Sequence, residues 1–357
     1  TFLARYDETG HLVFARPILG YSKVQRVVDM TSILESLTKQ IKQFGDQIFI
    51  PILHTETVTV EGEDELLEFS PTMGMPDSHI LLRYTLDGQF LGATQLLSSF
   101  VDCETKALNR QETAFDVVFV CIDKYENLGN TDVIVGSGDV AQTFFFERAK
   151  TEVFAARFNY DGALLNTKRM MYVDLSYHYI KTFIRAFFLN GNLTIFFDSE
   201  IPIFFSDEEN QTPDLSNNIF DTRIAVYDDS FTRIAVHRAR TIKDLLISTD
   251  DTVVLSAQNT KGFTRFNDHI SLDDTAYVVH FRADGTFQWV KAAGKLPKQI
   301  VETENDIIVI TEDLNESRYV KNVNDGIRID MTPNTKAVYA ARMDKENKAF
   351  VFNSENQ

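Results

Sequence analysis

Six short stretches of the chain, residues 2–14, 81–90, 154–165, 223–234, 277–289 and 338–350, alternate apolar and polar positions. Each breaks at Asp, Asn or Gly and resumes as a second apolar run. A period of two marks a half-buried strand, and Asp-Gly or Asn supplies the positive φ that a tight hairpin turn requires. Each stretch is therefore predicted to be a β-hairpin. Their equivalent apolar positions are Tyr6, Tyr84, Phe158, Tyr227, Phe281 and Met343, spaced 54 to 78 residues apart. That spacing is the size of a supersecondary module.

Between the hairpins a second signature recurs, a turn leading into a strand that is apolar at nearly every position. The copies are Ile48-Phe49-Ile50, residues 115–120, residues 193–197, Val253-Val254-Leu255 and residues 307–310. A strand of that kind is buried on both faces. Each full unit then reads as four antiparallel strands, the build of one β-propeller blade. The expected fold is all-β, a single β-propeller domain over residues 1–357 with about six four-stranded antiparallel blades, seven being the alternative count. No linker rich in Pro, Gly or Ser divides the chain. A pair of β-sandwiches or another repeat stack is the rival architecture.

The counts do not match: six closing hairpins meet only five opening pairs. The pair missing from the first hairpin is expected either upstream of Thr1 or within Pro17 to Gln40. In that stretch Ser32-Ile33-Leu34-Glu35 resembles a capping box, and Ile33, Leu34, Leu37 and Ile41 share a helical face. A short helical insertion is expected over residues 17–40. The chain opens on Thr1-Phe2-Leu3, without Met or a secretory leader, which suggests a processed, trimmed or partial chain.

Residues 4–14 resemble the strand–turn–strand repeat of pyrroloquinoline-quinone-type propellers. Residues 277–289, with Asp284-Gly285 and a terminal Trp289, resemble the bacterial seven-bladed-propeller repeat family. The likeness covers about 13 residues in each copy. The quinone enzymes repeat a docking Trp in most blades, whereas here Trp289 stands alone, with Phe14 and Phe350 as substitutes in two copies. The resemblance therefore implies the fold and not quinone chemistry. Members of the bacterial repeat family are mostly exported or surface proteins used for binding and assembly, which suggests the same role here.

Composition narrows the function. Asp and Glu number 52 against 35 Lys and Arg, a formal charge of −17. Such a surface repels phosphate backbones, so nucleic acid is not an expected partner. No apolar run reaches the roughly 18–20 residues of a membrane-spanning helix, so contact with a membrane complex would run through other proteins. Twenty-nine Phe and 12 Tyr against one Trp favour pleated surfaces. Two cysteines, Cys103 and Cys121, make either one disulfide or two core thiols.

Chemistry is harder to find. The seven histidines show no metal-ligand spacing, and neither a nucleophile elbow nor a phosphate loop is present. No cofactor is predicted. Five acidic groupings, residues 198–200, 207–209, 250–251, 273–274 and 322–326, leave Ca²⁺ open as a ligand but lack the spacing of a dedicated calcium loop. The turn aspartates Asp7, Asp87, Asp161, Asp284 and Asp344 are explained by hairpin geometry.

The first units are lengthened at residues 61–78, 102–112 and 200–218. Apolar pieces embedded there, with Met73 and Met75 in one and Ile203, Phe204 and Phe205 in another, are candidate contact points. Packing of each loop onto its own blade is the alternative. The expectation is a non-catalytic interaction or structural module that binds a protein or glycan through these loops. It belongs to an exported or cell-surface assembly, whether extracellular, on the cell surface or periplasmic. The alternative function is a polysaccharide hydrolase or lyase with channel-facing carboxylates.

Overall fold

A computed structural model describes residues 2–19, 41–61, 66–71, 75, 77–123, 131–146, 150–174, 183–189, 191–199, 203–206, 221–239 and 242–247. Beyond these it describes 253–258, 264–266, 270–272, 276–281, 287–294, 297–302, 306–313, 337–344 and 350–351. Among the described residues the regular structure is antiparallel β-strand, apart from a 3₁₀ turn at Gly138–Val140. The expected helix within residues 17–40 falls outside the described residues, except that positions 17–19 end a strand. The chain divides into two compact units, one of Thr1–Tyr179 with Phe204–Thr212, the other of Ile180–Ile203 with Pro213–Gln357.

The first unit opens with the hairpin β1 (Phe2–Tyr6) and β2 (Leu12–Leu19). Next come β3 (Lys42–Phe44), β4 (Gln47–His54), β5 (Val58–Glu61), β6 (Leu66–Phe69), β7 (Asp77–Thr85) and β8 (Phe90–Ser99). They are followed by β9 (Asp102–Arg110), β10 (Ala114–Ile122), β11 (Thr131–Val135), β12 (Gln142–Phe146), β13 (Lys150–Asn159) and β14 (Leu164–Asp174). A short strand, β17 (Ile203–Phe205), edges β14. Strands β3-β4-β7-β8 and β9-β10-β13-β14 are four-stranded meanders.

The second unit repeats the meander three times. The first copy is β15 (Phe183–Leu189), β16 (Asn192–Ser199), β18 (Asp221–Tyr227) and β19 (Arg233–Ala239). The second is β20 (Ile242–Ile247), β21 (Val253–Gln258), β24 (Ala276–Phe281) and β25 (Phe287–Gly294). The third is β26 (Pro297–Glu302), β27 (Asp306–Asp313), β28 (Ala337–Asp344) and β29 (Phe350–Val351). A small hairpin, β22 (Thr264–Phe266) and β23 (Ile270–Leu272), lies against β19.

Four of the closing turns have one geometry. The N–H after the aromatic position (Asp7, Thr85, Asn159, Asp228) donates to the carbonyl four residues on, at 2.9 to 3.0 Å. The N–H of Gly10, Gly88, Gly162 or Phe231 donates back at 3.0 to 3.1 Å. That last position has φ of +86, +89 and +90° at the glycines and +60° at Phe231, the one non-glycine with positive φ among the described residues. Gly88 is required twice over, because a Cβ there would lie 2.5 Å from the Phe14 ring.

The side chain that caps the turn is the residue just after the aromatic: Asp7, Thr85, Asn159 and Asp228 each accept backbone N–H bonds at 2.8 to 3.0 Å. Asp87 and Asp161 stand two places further on. A β-bulge follows at the same step in five hairpins, next to Tyr6, Tyr84, Phe158, Tyr227 and Phe281. This register sets Phe14 level with Trp289, but pairs Phe350 with Met343 just as Phe287 pairs with Phe281. Phe350 is thus the counterpart of Phe287, and Val351 takes the Trp289 place.

Continuous apolar strands are buried on both faces, as their composition demands. In β4 and β7, Ile48, Ile50, Ile52, Ile80, Leu82 and Tyr84 pack into one core cluster with Phe14, Val58 and Val60. Phe49 and Leu81, pointing the other way, join Phe115, Phe119, Phe154 and Phe158 in a second. Phe49 meets Phe115 edge-on at 6.0 Å, and Phe115 stacks on Phe158 at 5.5 Å. The expected loop at residues 102–112 is largely strand β9, whose alternate residues Cys103, Thr105 and Ala107 face inward.

Candidate functional site

The insertions have a common destination. Residues between the second and third strands of one meander add onto the outer edge of the fourth strand of the preceding hairpin. β5 pairs with β2 through Ile18–Val60 and Leu19–Thr59, and β11 pairs with β8 through Leu97, Ser98 and Ser99. β17 edges β14, where the Ser206 N–H donates to the Met170 carbonyl at 3.1 Å. In β2 and β8 the cover reaches only the last residues of the strand. Earlier outer-edge residues carry the bulge, and the bulged side chains Val13, Leu91, Leu165 and Ile234 are all exposed. An edge kinked in this way resists pairing with a like edge while still presenting apolar atoms to water.

Arginines tie neighbouring sheets of the first unit together. Arg5, just before Tyr6, donates to the Leu86 carbonyl in the next closing turn, and Arg83, just before Tyr84, donates to that of Tyr160 in the one after. Burial lowers the proton affinity of Arg83, and its guanidinium stacks over the Tyr160 ring at 4.9 Å. Arg16 Nε donates to the Gly88 carbonyl at 2.9 Å, and Arg110 to that of Phe44 at 2.9 Å. The third residue of the series, Arg157, turns inward and holds the fully buried Asp116 with two hydrogen bonds of 2.7 and 3.2 Å. Gln111 adds a third bond to that carboxylate at 2.6 Å. Asp116 is thus saturated by its own sheet, an arrangement that serves structure.

Two more carboxylates belong to turns. Asp7 is held below its ordinary range first by the Thr9 hydroxyl and then by the His11 N–H, and Asp87 first by the Thr85 hydroxyl. Buried titratable groups sit in β4 and β7. Burial lowers His54, and burial with a smaller contribution from His54 pushes His79 down to about 4. Both rings are neutral at physiological pH, and His79 lies edge-on to Phe119 at 6.2 Å.

Of the residues singled out from sequence, Met75, Ile203 and Phe205 have buried side chains. Phe204 is half-buried and stacks on Tyr172 at 5.1 Å. Met73 falls outside the described residues. Cys103 and Cys121 stand directly opposite on β9 and β10, with Cα atoms 4.0 Å apart, and are joined by a disulfide. Among the described residues no group of three or more His, Cys, Asp or Glu side chains could hold a metal ion. Most of the acidic groupings named above lie outside the described residues. No described helix is long and apolar enough to cross a membrane.

One feature has no counterpart in the pattern of residues. Tyr6 is 59% exposed, whereas its equivalents Tyr84, Phe158 and Tyr227 are 1%, 0% and 2% exposed. Those three stand opposite Ile48, Phe115 and Leu193 of the adjoining second strand. Among the described residues β1 ends its sheet, with no second strand beside it.

No family model matches the chain, and no curated protein matches it. Among solved structures the chain is similar to puromycin hydrolase, at 9% identity and a TM-score of 0.30, over 87% of this chain and 52% of that one. It is also similar to BamB from Moraxella catarrhalis, at 10% identity and a TM-score of 0.20, over 76% of this chain and 92% of that one. The chain spans about half the length of puromycin hydrolase. At these scores neither likeness carries an argument about what this chain does.

Proposed function

We propose that the chain is a non-catalytic interaction module of β-propeller type, acting in an exported or cell-surface assembly and binding a protein partner. The observation that carries the reading is the meander itself. Five copies share strand order, four closing hairpins share one turn and five share the bulge, a repeated construction that keeps loops and edges for contact. The polar groups support it too, since Asp116, Asp7 and Asp87 are each committed to the scaffold. The exposed bulge aliphatics provide apolar contact points at repeated positions. An oxidising compartment fits a buried disulfide between adjacent strands. The reading calls for no cofactor.

The test is capture of the tagged chain from its native source with fractionation, followed by rebinding of the purified candidate partner. The expected result is recovery outside the cytoplasm with Cys103 and Cys121 linked, and a one-to-one complex that re-forms from pure components. Release of sugar from a panel of polysaccharides by the pure chain would instead establish the hydrolase alternative. Binding to those glycans without cleavage would replace the protein partner with a carbohydrate.

A further inference from the structure

Strand β9 is held to β10 by two unlike halves. Their ladder runs from Arg110 opposite Phe115 to Asp102 opposite Ile122, and a bulge at Lys106 divides it into four residue pairs on each side. In the near half Leu108 is buried in the core cluster with Phe115 and Phe119, Ala107 is buried too, and Arg110 donates to the Phe44 carbonyl at 2.9 Å. The far half is Asp102, Cys103, Glu104 and Thr105, of which only Cys103 belongs to that cluster. Thr105 is 3% exposed with its hydroxyl unpartnered, which weakens the closed form. The disulfide to Cys121 is what this half has in place of apolar packing.

From this asymmetry we infer that the Cys103–Cys121 disulfide is a redox-sensitive latch, whose reduction releases residues 102–106 from β10 while the rest of β9 stays paired. The reductant is a dithiol. One of its thiolates attacks the sulfur of Cys103, which at 6% exposure against 0% for Cys121 is the one reached first. The sulfur–sulfur bond breaks, and Cys121 leaves as a thiolate that takes up a proton. The second thiolate of the reductant then displaces Cys103, which takes up another proton, and the reductant ends as a disulfide. Two unlinked thiols need more room than the joined pair, and the close-packed cluster around Cys121 has none to give. β10 is fixed on its other side by nine residue pairs with β13, so the strand that yields is β9. Val101 before the segment and Ala107 after it are both buried, which confines the movement to a short bow. Release uncovers the edge of β10 at Phe119–Ile122 and breaks the hydrogen bond between the His79 ring and the Cys103 backbone. The latch adds regulation to the scaffold and is independent of which partner the chain binds.

The test takes the full chain in native buffer, with and without dithiothreitol, and reads hydrogen exchange over residues 102–106, 107–110 and 150–159. Thiol labelling counts the cysteines set free. The double variant Cys103→Ala with Cys121→Ala lacks the latch and is the reference that reductant should leave unchanged. Thr105→Val removes the unpartnered hydroxyl at nearly constant shape, and so probes the far half without touching sulfur.

The expected result is two labelled thiols, exchange at least about tenfold faster over residues 102–106 after reduction, and little change over 107–110 or 150–159. The double variant should show the fast pattern with and without dithiothreitol, and reoxidation of the parent chain should restore the slow one. Thr105→Val should slow exchange over 102–106 in the reduced chain by about fivefold. A disulfide that resists dithiothreitol until denaturant is added overturns the proposal, as does unchanged exchange once both thiols are free. Acceleration shared evenly by residues 102–110 and 150–159 overturns it as well, because the cross-link then only raises global stability.

Discussion

The hairpins β1–β2 and β7–β8 are near copies that live in different surroundings. Both turn on a glycine at φ near +90°, both carry the bulge beside a tyrosine, and both send the preceding arginine to a neighbouring turn. Tyr84 is nonetheless sealed between β4 and its core cluster, while Tyr6 stands in water. Local sequence sets the hairpin. Burial, which carries most of the stabilisation, is set by whether a second strand arrives beside it.

The largest contrast is expected from the two tyrosines. Tyr84→Ala should cost about 3–5 kcal/mol, because it opens a cavity in a close-packed cluster. Tyr6→Ala should cost under about 1 kcal/mol in the free chain, as removal of an exposed side chain does. Urea titration of both variants measures the difference. Equal costs would mean that the two hairpins are equivalent after all.

Cross-linking comes next. The disulfide pins a first strand to a second, a pair that β1–β2 does not have among the described residues. Replacing Cys103 and Cys121 together by Ala should cost about 3 kcal/mol, the chain-entropy value for a loop of this size. Thermal unfolding with and without reductant should then differ in the parent chain and coincide in the double variant.

Acid should weaken the completed sheet by a similar amount. His79 in β7 is held at about 4 against an ordinary 6.5, so between those values the unfolded chain takes up a proton that the folded chain refuses. Stability is therefore intact above about 6.5 and falls as pH drops through the window, by about 3 kcal/mol at its lower end, then levels off. His54, lowered for the same reason, acts in the same direction. His79→Phe should flatten most of the slope between urea titrations at about pH 7 and about pH 4.5.

The smallest test compares the two turns. Gly10→Ala meets open space and bears only the left-handed backbone, about 1 kcal/mol. Gly88→Ala adds a clash with the Phe14 ring and should cost about 2–3 kcal/mol in total. Loss of melting temperature in the two variants gives the ranking directly.

Much of the local build was legible because its signals are local. Asp-Gly turns, alternating aromatics and the unbroken apolar run at Ile48-Phe49-Ile50 declared hairpins and twice-buried strands at nearly the right places. What stayed hidden depends on pairing between distant segments. Val58–Glu61 and Thr131–Val135 are short, and nothing in them points to β2 or β8 as the edge they extend. Residues 102–112 read as an insertion because Asp102-Cys103-Glu104-Thr105-Lys106 alternates polar with small residues, and its burial comes from β10. Met75, Ile203 and Phe205 looked available in the sequence since apolar residues among acidic ones are the same whether they face outward or fold back. Tyr6 and Tyr84 are indistinguishable by motif, so the bareness of one had no signal to find.

The way insertions cover outer edges sets a timetable for synthesis. β2, β8 and β14 each leave the ribosome roughly 30–40 residues before β5, β11 and β17, the strands that cover them. At about 5–20 residues per second, each freshly made hairpin waits some seconds with that flank unguarded. A kinked, bulged rim is useful in that interval, since it discourages nascent neighbours on a polysome from zipping together before the next segment emerges.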